Sequence, residues 1–102
     1  MLKHIQSMIN TIENLNNEIK SAEKSYKLSK FEYTHKLLKL KYSDEYRQFK
    51  TIKEKEEHAK MDMESRNLEL NVINNELMLQ NLKFDKEVLM LQLKYLYTSD
   101  EE

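Results

Sequence analysis

The sequence predicts an all-α protein: a long antiparallel helical hairpin, a coiled coil, that assembles into a four-helix bundle or a larger helical oligomer. Three observations predict it. The 102 residues contain neither Gly nor Pro, where average usage would give roughly twelve. Apolar residues recur at helical spacing along nearly the whole chain. Only one stretch, residues 42–51, carries the chemistry of a reversal. Without Gly the turns that need φ > 0 lose their usual supplier. Sheets joined by tight hairpins and Gly-rich phosphate loops are therefore excluded.

The first helix is expected over about 2–41. Ile5, Ile12, Ile19, Tyr26, Tyr33 and Leu40 repeat every seven residues, as one side of a helix pair requires. These six are the expected seam. A companion register reads Leu2, Ile9, Asn16, Glu23, Lys30 and Leu37, with three polar members in its centre. Met8, Leu15 and Ala22 fill the other flank.

The reversal is expected at 42–51. Ser43 followed by Asp44 and Glu45 suits the start of a short helical piece running to about Phe49. Thr51-Ile52-Lys53-Glu54 is a capping box that would open the second long helix. One continuous helix through this region is the alternative.

The second helix is expected over about 52–97, with a frayed tail at 98–102. It carries two apolar stripes. One runs Ala59, Met63, Leu70, Ile73, Leu77, Phe84, Val88, Leu91 and Tyr95. The other runs Leu68, Val72, Leu79, Leu82, Leu89, Leu93 and Leu96. At about 100° per residue they fall on roughly opposite sides. The first, through Leu70, Leu77, Phe84 and Leu91, is expected to close the intramolecular seam. The second is then left as the association surface. A two-fold dimer is the simplest way to enclose it.

Composition narrows function by exclusion. With no Cys there is no disulfide framework, thiolate metal site or Cys nucleophile. No window approaches the apolar length of a membrane span. A soluble, cytoplasmic protein is the expectation. Glu32-Tyr33-Thr34-His35 has a Glu-x-x-His spacing, but a di-metal bundle site needs two such motifs and two further Glu. His58 lacks the second His of a metalloprotease helix, and His4 is isolated. Neither a catalytic constellation nor a cofactor is expected.

Residues 20–41 hold seven Lys against Glu23 and Glu32, whereas 61–102 hold four cations against nine acids. Mutual attraction of the two segments explains this polarity. Lys20, Lys24 and Lys27 form one row with Tyr26, Phe31, Tyr33 and Tyr42 interleaved, which is the alternative of direct nucleic-acid contact. It is the less favoured reading, because Tyr26 and Tyr33 occupy seam positions.

Thr51-Ile52-Lys53-Glu54-Lys55-Glu56-Glu57-His58-Ala59 and the long helix after it resemble a group of small bacteriophage coiled-coil proteins. These are encoded near single-strand annealing recombinases and single-strand binding proteins. The likeness spans about residues 35–97 and lacks the Pro that often precedes the Thr. It implies a non-enzymatic accessory of DNA recombination or replication that acts through a protein partner. Inhibition of a host enzyme or defence complex is the alternative.

Overall fold

The computed structural model describes residues 2–43, 47–48 and 51–100, and side-chain burial to residue 98. These residues form three helices, α1 (Leu2–Lys41), α2 (Ile52–Met61) and α3 (Met63–Asp100), with no strand among them. The all-α helical hairpin expected from the sequence is the observed fold class. The chain divides into two compact units. The first joins residues 1–24 to 77–102, and the second spans 25–76.

α1 ends where the sequence places its end. Lys39 and Lys41 sit in its last turn, where cations suit the carbonyl end of a helix. The Tyr42 N–H donates to the Leu38 carbonyl at 3.2 Å, and the Ser43 N–H to the Leu40 carbonyl at 3.0 Å. Ser43 Oγ donates to that same Leu40 carbonyl at 2.7 Å. Ser43 thus closes α1. The short piece expected at 44–49 lies outside the described residues, apart from Arg47 and Gln48, which form a turn. Thr51 caps α2 as predicted: it is extended (φ −119°, ψ 154°), and its hydroxyl accepts the Glu54 N–H at 3.1 Å.

The second helix is not continuous, contrary to expectation. Asp62 is extended (φ −59°, ψ 137°) and separates α2 from α3. Its carboxylate accepts the Ser65 N–H at 3.2 Å, and its carbonyl accepts the Arg66 N–H at 2.9 Å. Asp62 is therefore the N-cap of α3, and Glu64 adds a second acid to the first turn. α3 also runs past the expected end at Tyr97. Thr98 and Ser99 are helical, and Thr98 Oγ1 donates to the Lys94 carbonyl at 2.9 Å.

Each unit is an antiparallel pairing. In the first, Met8 shares a groove with Leu96, and Ile19 shares another with Lys86 and Met90. Numbers rise along α1 as they fall along α3. In the second, Lys41 pairs with Glu56 at 2.9 Å, Lys36 with Glu64 at 2.6 Å, and Tyr33 hydrogen-bonds Glu69. The Lys36–Glu64 pair realises the attraction expected between the basic and acidic segments.

The core of the first unit is Ile5, Met8, Ile19 and Ala22 of α1 against Leu79 of α3, with Ile12, Leu82, Leu89, Leu93 and Leu96 half-buried. That of the second is Ser29 of α1, Ala59 of α2 and Ser65 of α3, with Tyr26, Tyr33, Leu40, Leu68 and Val72 half-buried. Buried Ser29 is satisfied by the Tyr26 carbonyl at 2.8 Å. The six α1 seam positions all lie inward. In the companion register Ile9, Asn16, Glu23 and Leu37 are half-buried, and Leu2 and Lys30 are exposed; on the other flank Met8, Ala22 and Ser29 are buried and Leu15 half-buried. Small side chains at Ala22 and Ser29 let the facing helix come close.

The largest correction concerns the two stripes. Leu70, Leu77, Phe84 and Leu91, expected at the intramolecular seam, are 56%, 52%, 64% and 67% exposed. Leu68, Val72, Leu79, Leu82, Leu89, Leu93 and Leu96, expected on the association surface, line the seam instead. The break at Asp62 supplies the reason. Ala59 and Ser65 are both fully buried. On one continuous helix Ala59 and Leu68 would point about 180° apart, with Met63 and Leu70 sharing the Ala59 side. The extended residue resets the helical phase by roughly half a turn. α2 keeps Ala59 inward, while α3 turns Leu68 and its heptad partners inward.

Candidate interaction surface

The seam uses one face of α3, and the opposite face in the first unit remains apolar and accessible. Leu77, Phe84, Leu91 and Tyr95 are exposed there, Val88 is half-buried, and Asn81 lies between the first two. Their spacing alternates four and three residues, so all six fall within an arc of about 80°. The arc is centred about 150° from the inward residues Leu79, Leu82, Leu89 and Leu93. The heptad spacing of this stripe was visible in the sequence; its outward direction was not.

At one end the face borders an open groove of about 500 Å³, lined by His4 and Met8 of α1 and Leu91, Gln92, Tyr95 and Leu96 of α3. Its lining is largely hydrocarbon, with no cluster of converging charges. A second groove of about 360 Å³ holds Glu23, Lys83, Lys86 and Glu87 beside Ile19 and Met90. Lys83 Nζ lies 4.0 Å from Glu23 there. Such an exposed pair is worth little, about 0–1 kcal/mol.

In the second unit Leu70 and Ile73 are exposed on α3, and Met63 at its start. A groove of about 260 Å³ is lined by Thr34, Leu37, Leu38 and Lys41 of α1 and by Glu56, Ala59 and Lys60 of α2. The Lys41 ammonium hydrogen-bonds Glu56 and holds its carboxyl below the ordinary value. Burial raises the Tyr33 phenol, and the adjacent Glu69 carboxylate, which accepts its hydrogen bond, raises it further.

Glu32 and His35 are exposed, and the His35 ring stacks on Phe31 with centroids 5.9 Å apart. No group of three or more His, Cys, Asp or Glu able to hold a metal occurs among the described residues. Lys20 and Lys24 are exposed in the first unit and Lys27 in the second. Tyr26 and Tyr33 are half-buried in the second unit, and the Lys30 ammonium sits 4.2 Å from the Tyr26 ring. These two rings are committed to packing, whereas Phe31 and Tyr42 are exposed. No described helix is long and apolar enough to cross a membrane. Protein-family models, curated proteins and solved structures give no match to the chain.

Proposed function

We propose that this chain is a non-enzymatic helical interaction protein that self-associates through the outer face of α3. One observation carries the reading: Leu77, Phe84, Leu91 and Tyr95 stand exposed in a single stripe of the first unit. A helix apolar on two sides is stable in water only when both are covered. The seam covers one, and another helix fits the other. The resulting bundle acts by presenting rigid surfaces to a partner, and no cofactor enters the reading. The likeness around Thr51–Ala59 supplies a context for it, as an accessory of phage DNA recombination or replication, in the host cytoplasm.

Sedimentation equilibrium at micromolar concentration tests the association. The reading expects a mass of two chains or more, falling to one chain on Phe84→Glu with helical signal retained. A single-chain mass for the unmodified protein, or a mass unchanged by Phe84→Glu, refutes it.

A further inference from the structure

The outer stripe has more order than an apolar patch requires. In heptad terms Leu77, Phe84 and Leu91 occupy the d positions, and Asn81, Val88 and Tyr95 the a positions. Leu at d with a β-branched residue at a, as at Val88, favours two-stranded pairing, and an Asn at a constrains how the strands align; Asn81 is the one such residue of the stripe in the first unit. The stripe bears the same residues on every copy of the chain. A two-fold arrangement therefore lets it be its own partner.

Direction follows from Asn81. Antiparallel strands pack a positions against d positions, which would bury the Asn81 amide against hydrocarbon with no partner. A buried polar group without a hydrogen bond is costly. Parallel strands in register pack a against a. The Asn81 amide then meets an identical amide, which offers both a donor and an acceptor.

The flanks agree. In a parallel pair each g position faces the e position of the next heptad on the other strand. Gln80 faces Asp85, and Glu87 faces Gln92. No two like charges are opposed. A lipid surface would instead call for a Lys/Arg-rich flank, and here Asp85, Glu87 and Lys94 give a flank of mixed charge. α1 packs on the inward face, centred about 150° away, and comes beside the stripe at the Leu91 and Tyr95 end, where His4 and Met8 line the open groove. In the second unit the same positions hold exposed Met63 and Leu70 at d, and exposed Asn67 and Asn74 at a.

We infer that the outer face of α3 in the first unit pairs with the same face of a second copy, parallel and in register, with Asn81 set against Asn81. This rests on the self-association proposed above and adds the orientation and the residue that fixes it.

The chain has no Cys, so single substitutions give unambiguous cross-links. Asn81→Cys and Val88→Cys, separately, are oxidised with glutathione disulfide, with exposed Glu13→Cys on α1 as the control and circular dichroism as the check on folding. A parallel in-register pair sets both a positions within disulfide reach of their own copies. Both variants should cross-link on the order of a thousandfold faster than the control, the advantage of millimolar effective concentration over micromolar free protein. An antiparallel pair self-opposes only the position on its two-fold axis. Cross-linking of just one variant, or of neither, overturns the inference. If the unmodified protein then still has a dimer mass that Phe84→Glu abolishes, self-association stands and only the orientation fails. A single-chain mass defeats both.

Discussion

Leu79 and Leu77 lie two residues apart on α3 and have opposite fates: the first is 7% exposed at the seam, and the second stands on the outer face. Truncating each to Ala separates the two faces energetically. Burying a Leu side chain is worth about 1.5–3 kcal/mol, and Leu→Ala in a packed core costs about 2–5 kcal/mol. A two-helix seam can relax around the gap, so Leu79→Ala should fall at the lower end, about 2–3 kcal/mol. For a chain of this size that corresponds to a drop in Tm of roughly 10–20 °C. It should be the same at any protein concentration, because the lost contact is within one chain. Leu77→Ala should cost little in dilute protein. Its penalty should grow with concentration, because its contacts form only on association and stability then follows mass action. Thermal melts followed by circular dichroism at two concentrations a hundredfold apart would show this. Equal, concentration-independent losses for the two variants would refute the assignment of the faces.

Three further outcomes are expected. Asp62→Ala removes the cap of α3 and should cost about 1 kcal/mol, with amide exchange accelerated first at Ser65 and Arg66. Unchanged exchange there would dismiss Asp62 as a cap. The Glu56 carboxyl is held below its ordinary 4.5 by the hydrogen bond and charge of Lys41. Its contribution is present above that value and lost as pH falls through the lowered one. Acid unfolding should therefore lose part of its pH dependence below 4.5 in Glu56→Gln. The Tyr33 phenol is raised above 10.0 by burial and by Glu69. Its contribution is complete below that value and lost as pH rises through the raised one. Phenolate absorbance should show a late-titrating component that becomes earlier in Glu69→Gln.

Much of the fold was legible because the chain lacks the residues that complicate helices. With no Gly or Pro, the heptad from Ile5 to Leu40 implied one helix, and Thr51 announced the next through its capping chemistry. The break at Asp62 carries a weaker signal: Asp62-Met63-Glu64-Ser65 has an N-cap acid and a second acid in the first turn. Its signal was masked by apolar periodicity that continues on both sides. That one residue decides which stripe of α3 faces α1. Both stripes have the spacing to pack on α1, and periodicity alone cannot rank them. The small buried residues settle the matter physically: Ala59 and Ser65 mark where the helices touch, and no uninterrupted helix brings the Ala59 and Leu68 sides to the same face. Leu82 and Leu89, which the sequence pattern placed outside, therefore belong to the seam.

The most direct test sets Leu91→Glu beside Leu89→Glu and records mass and helical signal together by sedimentation equilibrium and circular dichroism. The account predicts that Leu91→Glu lowers the mass to one chain while the helix signal persists, and that Leu89→Glu lowers the helix signal itself. Loss of association with intact helix in Leu89→Glu, and an unchanged mass in Leu91→Glu, would contradict it.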